Sequence, residues 1–309
     1  MIDLSIIVPV YNEEDNIKTF LVRLKETLKK ITDNYEIIFC LDPSKDSSEN
    51  LILQETINDK RIKLLTFSRR FGQPTATMAG IKNSSGERCV IIDCDLQDPP
   101  ELINDMYLKM NNGFEVVTAQ RLSRKGETVI KKILTKVGYY VINKISDVPI
   151  PKNTGDFRII SKKVVDELKK INDKTAFLRG LVAYIGFETT YILYNRDERY
   201  NGKSKYNIYL GSLKIALNGV IGFSSKPLFA MSIIGFLFAI LSFLIGLYYL
   251  ILKIIGYNLT AGLSSTILLI TFFSGLNLIG LGLLGEYVGR IYDAVKNRPE
   301  YIIKKKYNF

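Results

Sequence analysis

From residue 227 to residue 285 the chain carries a single charged side chain, Lys253. This limits the possible folds more than any other feature. A helix needs ~20 apolar residues to cross the hydrocarbon core of a bilayer, and Lys253 divides the run into 227–252 and 254–285, each longer than that. Two spans are expected near 228–252 and 263–285, joined by a short external loop near 254–262, with Lys253 snorkelling to the interface. Lys203, Lys205, Lys214 and Lys226 precede the first span, and Arg290, Lys296, Arg298 and Lys304–Lys306 follow the second. Basic flanks stay on the cytosolic side, so the expectation is a multi-pass inner-membrane protein with 286–309 as a basic cytosolic tail.

The remaining sequence is mixed and charged. Leu4–Val10, Tyr35–Leu41, Ile62–Phe67, Arg88–Ile92 and Glu115–Ala119 are short apolar runs that read as strands. Helical spacing lies between them at 16–31, 47–58, 73–84 and 100–111. This alternation predicts a doubly wound, Rossmann-like α/β sheet, with ligands bound beyond the carboxyl ends of its strands. The domain is expected over 1–205. Residues 206–226 read as an amphipathic juxtamembrane segment, and 129–145 as a basic amphipathic helix suited to a membrane interface or to a core. No signal peptide precedes the first strand, so this domain is expected to be cytosolic.

Composition removes several classes of chemistry. There is no histidine, which excludes His-based triads and a His base, and leaves proton transfer to Asp, Glu, Lys, Tyr or Cys. Cys40, Cys89 and Cys94 form no C-x-x-C pair and read as buried free thiols. The net charge of +11 suits anionic partners. Because the basic residues flank membrane segments, acidic lipid and phosphate are favoured and nucleic acid is not expected.

The strongest motif is IIDCDLQDPPE, 91–101. Asp93 and Asp95 follow an apolar strand, where both carboxylates can face one cation. An all-oxygen set of this kind suits Mg²⁺ or Mn²⁺ that also binds substrate phosphates. PVYNEEDN, 9–16, offers Tyr11 for stacking on a base and Glu13 for a ribose hydroxyl. Asp42, Ser44 and Asp46 form a turn after the second strand. Asp156 and Arg158 flank an aromatic residue in NTGDFRIISKKVV, 153–165, ahead of a helical pattern. RYNGKSKY, 199–206, places Arg199, Lys203, Ser204 and Lys205 on a glycine-containing loop, a phosphate clamp or a basic juxtamembrane segment. Neither a dinucleotide-binding G-x-G-x-x-G after the first strand nor a P-loop is present.

Taken in order, PVYNEE, DCDLQDPPE, TGDFR, R-x-x-G-x-S-K-Y, the two apolar runs and GEYVGRIYDAVKNRPEY resemble the family 2 glycosyltransferases that make polyprenyl-phosphate sugars, over nearly the whole chain. The resemblance implies a GT-A fold, inverting transfer, a UDP- or GDP-sugar donor and a polyprenyl phosphate acceptor. It implies nucleoside contacts from Pro9, Tyr11, Glu13 and Asp42, and a metal held by Asp93, Asp95 and Gln97. Asp156 matches the family's catalytic carboxylate. Arg199, Ser204 and Lys205 match phosphate-binding positions, as does Arg121, expected in a loop after the fifth strand. One departure stands out. Where the family usually has D-D-G-S, this chain has Leu41-Asp42-Pro43-Ser44, and proline fixes φ and lacks an N–H.

Glucose from UDP-glucose, passed to undecaprenyl phosphate, is the expected reaction. A processive polysaccharide synthase is the competing one; such enzymes carry Q-x-x-R-W, and this chain has no tryptophan. An inactive membrane scaffold with a GT-A domain is the non-enzymatic alternative. A homo-oligomer within the membrane stays open.

Overall fold

The protein is seen in a computed structural model that describes residues 2–122, 154–171, 177–195, 221–222, 224–256 and 262–309. It divides into two compact units, Met1–Gly222 with Pro299–Phe309, and Phe223–Arg298.

The first unit is built on an eight-stranded sheet ordered β7-β5-β6-β4-β1-β2-β3-β8. Its centre is parallel: β1 (Leu4–Val10) lies between β2 (Tyr35–Leu41) and β4 (Arg88–Ile91), and β3 (Ile62–Phe67) lies outside β2. Every residue of β1 and β2 is buried. Their unbroken apolar runs therefore have cover on both faces, as parallel strands require. One cover is α1 (Glu14–Leu28), whose Ile17, Phe20, Leu21, Leu24 and Leu28 fall on one face at helical spacing. Another is α3 (Gln73–Lys82). A Cβ on its Gly80 would sit 2.3 Å from Ile7 Cγ2 and 2.8 Å from Cys40 Sγ, so glycine lets this helix lie directly on β1 and β2. The helices α2 (Ser48–Asn58) and α4 (Leu102–Met110) complete the alternation expected from sequence.

Beyond β4 the sheet is mixed. Strand β5 (Val116–Arg121) does not pair with β4. Strand β6 (Thr154–Ser161) inserts between them, antiparallel to both. The TGDFR segment, read from sequence as lying ahead of a helix, is thus an inner strand, followed by α5 (Lys162–Lys170). Then come α6 (Leu178–Ile185) and the edge strand β7 (Thr189–Tyr194), parallel to β5. At the other edge, β8 (Ile303–Tyr307) pairs antiparallel with β3. The segment 286–309 is therefore not simply a tail, because its end completes the sheet. Its lysines read as solvated tail in sequence, yet lysine on an outermost strand also discourages further strand addition.

The second unit consists of α7 (Lys226–Ile254) and α8 (Leu263–Val295), the latter running on past the expected end at 285. Both are long and apolar enough to cross a membrane, over Lys226–Tyr249 and Leu269–Val295 with mean hydropathy 2.7 and 1.5. The two helices touch through Phe238 and Phe273, edge-to-face at 5.3 Å, and through Gly280, where an added Cβ would lie 3.1 Å from Met231. Elsewhere they expose large apolar side chains such as Phe229, Phe236, Phe243 and Leu278. The segments 129–145 and 206–220 lie outside the described residues.

Candidate active site

The chemistry-bearing residues gather where β1, β2, β3 and β4 end. Pro9 is the penultimate residue of β1 and pairs with Cys40; Val10 pairs with Leu41. The turns that follow these two strands clip each other. The Ser44 hydroxyl accepts from Asn12 N (3.0 Å), and Asn12 Oδ1 accepts from Lys45 N (2.8 Å). Ser48 Oγ accepts from Glu13 N (2.9 Å), Glu14 Oε2 from Ser47 N (2.7 Å), and Asp46 Oδ2 from Glu14 N (3.2 Å). Side-chain oxygens thus satisfy the first amides of α1 and α2 across a distance in sequence. Ser44 and Asp46 build the rim of the site, with Asn12 held at φ 51. Glu13 is braced by Asn16, whose Nδ2 donates to Oε2 at 2.7 Å.

Asp42 is only 2% exposed. Its two oxygens accept from Phe71 N (3.0 Å) and Gly72 N (2.8 Å), so it anchors the loop between β3 and α3. That loop carries Arg69 and Arg70, which the sequence reading did not single out. The Arg70 guanidinium lies 3.9 Å from the centre of the Tyr11 ring, and Arg69 lies 4.0 Å from that of Phe71. Sequence places Asp42 at a strand end but cannot show that it faces the next loop.

The D-x-D turn follows β4. Asp93 Oδ1 accepts from Gln73 Nε2 at 2.8 Å, and Asp95 Oδ1 from Gln97 N at 3.1 Å. Between Asp95 and Gln97 stands Leu96 at φ 61, a left-handed conformation that costs a non-glycine residue about 1–3 kcal/mol. Its side chain is 2% exposed within the main core, and burying a leucine returns about 1.5–3 kcal/mol. The buried leucine thereby fixes a bent turn that holds acidic side chains around it. The Asp93 carboxyl is pushed up to about 8, first by desolvation and then by the negative charge of Asp95, Asp98 and Asp156.

Asp156 reaches the same place from β6. Ile91 pairs with Arg158, so continuing that antiparallel register brings Asp156 level with Asp93. On the other side the β5–β6 register shifts between Thr118 and Gln120, a bulge beside the site. Arg179, on α6, donates Nε to Asp156 Oδ1 at 2.9 Å, and Arg158 Nη2 lies 4.0 Å from the same oxygen. Burial pushes the Asp156 carboxyl up, but Arg179, Arg158 and Arg121 outweigh it and hold it below the usual carboxylate range. Arg158 is 3% exposed, donates to the Gly155 carbonyl at 2.9 Å, and is lowered to about 10 by burial. Sequence gave no signal for Arg179, because it lies one helix beyond the motif.

Arg121 is not in a loop. It ends β5, with Nε 3.3 Å from the Tyr194 hydroxyl and Nη2 3.8 Å from Asp98 Oδ1. Tyr194 in turn donates to Asp98, which is 2% exposed. Gly155 makes room for this guanidinium, since a Cβ there would lie 2.9 Å from Arg121 Nη2. Arg199, Ser204 and Lys205 lie outside the described residues.

The donor chemistry at the turn fits a divalent cation. Asp93 and Asp95 could supply oxygen ligands, and the negative charge of Asp95, Asp98 and Asp156 crowds the Asp93 carboxyl. Among the described residues no three Asp, Glu, Cys or His side chains converge as a metal cage. Two carboxylates that leave the remaining positions to water and substrate phosphate suit Mg²⁺ or Mn²⁺.

A mixed α/β sheet with acidic residues at the ends of its parallel strands can serve many chemistries, and similarity to known proteins selects one. The glycosyl transferase family 2 profile matches residues 5–169, and the chain belongs to that family. It is a glycosyltransferase with a GT-A-like fold. It is 44% identical to the glycosyltransferase YkcC of Bacillus subtilis, over 99% of this chain and 94% of that one. It is 38% identical to the SfII prophage-derived bactoprenol glucosyl transferase of Shigella flexneri, over 98% of both chains. It is 36% identical to the prophage bactoprenol glucosyl transferase homolog of Escherichia coli K12, again over 98% of both.

Proposed function

We propose that this protein transfers a hexose, glucose from UDP-glucose in the first instance, to a polyprenyl phosphate such as undecaprenyl phosphate. The observation that carries this reading is the near full-length similarity to bactoprenol glucosyl transferases, which spans the sheet and both apolar helices. Helices α7 and α8 anchor the chain in the inner membrane, with the sheet domain on the cytosolic side where nucleotide-sugars are found. Their exposed apolar faces support this, since surfaces of that extent are not normally left to water.

The donor lies across the ends of β1, β2 and β4. Pro9, Tyr11, Glu13 and the loop anchored by Asp42 hold the nucleoside, with Arg70 able to share the Tyr11 face. Asp93, Asp95 and Gln97 would hold Mg²⁺ or Mn²⁺, and a cation there would supply positive charge to offset that of the nucleoside diphosphate. Asp156, kept ionised by its arginines, orients the reactants beside the anomeric carbon. A carboxyl held below its usual range is a weaker proton acceptor than an unperturbed one, and the reaction needs none. The second pKa of a phosphate monoester is about 6, so the acceptor oxygen is already anionic. That oxygen attacks the anomeric carbon as the bond to the diphosphate breaks on the opposite face, inverting the centre. Arg199, Ser204 and Lys205 complete the phosphate contacts, and Arg121 backs the acceptor side through Asp98 and Tyr194.

The test is incubation of the purified full chain in detergent with undecaprenyl phosphate and labelled UDP- and GDP-sugars, with Mg²⁺, Mn²⁺ or chelator. Metal-dependent label in lipid from one donor supports the reading and names the sugar. Folded protein that labels no lipid from any donor refutes it.

A further inference from the structure

The loop 68–72 is suspended at both of its ends. At its far end Asp42 takes the amides of Phe71 and Gly72. At its near end the partner comes from the C-terminus of the chain. The Ile302 carbonyl accepts from Ser68 N at 3.0 Å, extending the β3–β8 ladder one step past the Phe67–Ile303 pair and into the loop. Phe67, 1% exposed, carries the same connection through side chains. Its ring meets Tyr301 on one side at 6.1 Å and Phe71 on the other at 6.0 Å, both edge-to-face.

The returning segment is itself pinned. Glu300 pairs with Lys82 at the end of α3 (3.0 Å), with side chains 5% and 20% exposed. Lys306 Nζ donates to Asn83 Oδ1 at 2.7 Å, and Asn308 Nδ2 donates to the carbonyls of Thr56 (2.7 Å) and Ile62 (2.8 Å). Between the two suspension points, Arg69 and Arg70 are exposed, with Arg70 laid over Tyr11.

We infer that Glu300–Ile303 is a positioning element for the donor nucleotide. The segment that follows the second apolar helix clamps the Ser68–Gly72 loop, and so sets how Arg70 and Tyr11 meet the base. The role rests on the proposed reaction for its ligand, a nucleoside diphosphate. Tyr301 touches no reactant and acts through Phe67 and Phe71. Loosening the clamp therefore weakens donor binding and leaves the bond-breaking step, at Asp93, Asp95 and Asp156, untouched.

The experiment compares wild type, Tyr301→Ala and Tyr301→Phe as full chains in detergent. Donor KM and kcat are measured at saturating acceptor, and UDP and GDP affinity by calorimetry. An edge-to-face aromatic contact contributes enough to change binding about three- to tenfold. Tyr301→Ala is expected to raise donor KM, and Kd for the nucleotide that wild type binds, by that factor with kcat within twofold. Tyr301→Phe, which keeps the ring and loses only the hydroxyl's bond to Asn83, should stay closer to wild type than Tyr301→Ala. Phe71→Leu breaks the same relay from the loop side without touching the tail, and should give the same KM rise even where Tyr301→Ala fails to fold. Normal KM and Kd in folded Tyr301→Ala or Phe71→Leu, or a fall in kcat alone, overturns the clamp. Wild type that binds nucleotide but labels no lipid refutes the proposed acceptor instead and leaves the calorimetric test of the clamp intact.

Discussion

Replacing Arg179 by leucine tests whether Asp156 works as a fixed anion. The Nε–Oδ1 bond of 2.9 Å joins side chains 23% and 32% exposed, so the pair is partly screened by water. A hydrogen bond between charged groups contributes about 1.5–3 kcal/mol, and partial exposure places this one toward the lower figure. If that energy orients Asp156 in the transition state, kcat/KM falls about tenfold, at 1.36 kcal/mol per factor of ten. The pH profile moves as well. Arg179 is the strongest influence holding the Asp156 carboxyl down, so its loss raises that pKa. Activity that requires ionised Asp156 then fails at a higher pH than in wild type, and the acid limb shifts upward. Stability follows the same sign. A carboxylate depressed in the folded state stabilises the fold above its unfolded pKa, and that contribution disappears as pH falls through the folded value. The variant therefore loses that stabilisation near pH 8, and its melting temperature converges on the wild-type value as pH falls through the folded-state pKa of Asp156. Initial rates of lipid labelling from pH 4 to 9, with thermal melts at each pH, measure both effects. A folded Arg179→Leu enzyme with wild-type kcat/KM and an unmoved acid limb would refute the reasoning.

Asp95→Asn removes one of the two anionic ligands proposed for the metal in the turn after β4. Catalytic efficiency should drop roughly a hundredfold or more, because metal charge stabilisation is worth several kcal/mol, and Mn²⁺ titration followed by electron paramagnetic resonance should show weaker binding. Gly80→Ala forces a methyl to within 2.3 Å of Ile7 Cγ2. Overpacking of this kind costs about 1–3 kcal/mol and should lower the melting temperature by several degrees in a thermal scan, with unchanged melting as the contrary result. Burial raises the thiols of Cys40, Cys89 and Cys94, the second to about 12, and all three are free. Iodoacetamide at pH 8 should leave them unlabelled in native protein and modify all three after denaturation, as read by mass spectrometry.

Much of this protein is written in local pattern. All five expected strands form within a residue or two of their expected bounds, and the first four make up the parallel centre, because unbroken apolar runs bounded by polar turns admit few other folds. The two long apolar helices were legible from their uncharged runs, although α8 continues ten residues past the expected end at 285. The D-x-D turn was legible for another reason: its two carboxylates are only two residues apart in sequence, so no tertiary contact is needed to bring them together. The positive φ of Leu96 had no such signal, because leucine there is held by core burial and not by turn preference. Pairings between distant segments were also illegible. Sequence placed the TGDFR segment ahead of a helix, which α5 is, but could not show that the segment is a strand between β4 and β5 that sets Asp156 beside Asp93. It could not show that Asp42 faces the amides of Phe71 and Gly72, that Arg179 reaches Asp156 from another helix, or that lysine-rich β8 closes the edge at β3. Periodicity and charge report what each segment can bury, and so they determined the elements and the two apolar helices. Which partner each element buries against depends on the whole chain at once. Tertiary structure alone therefore decided strand order, the arginines around Asp156, and the return of the C-terminus to the loop that holds Arg70.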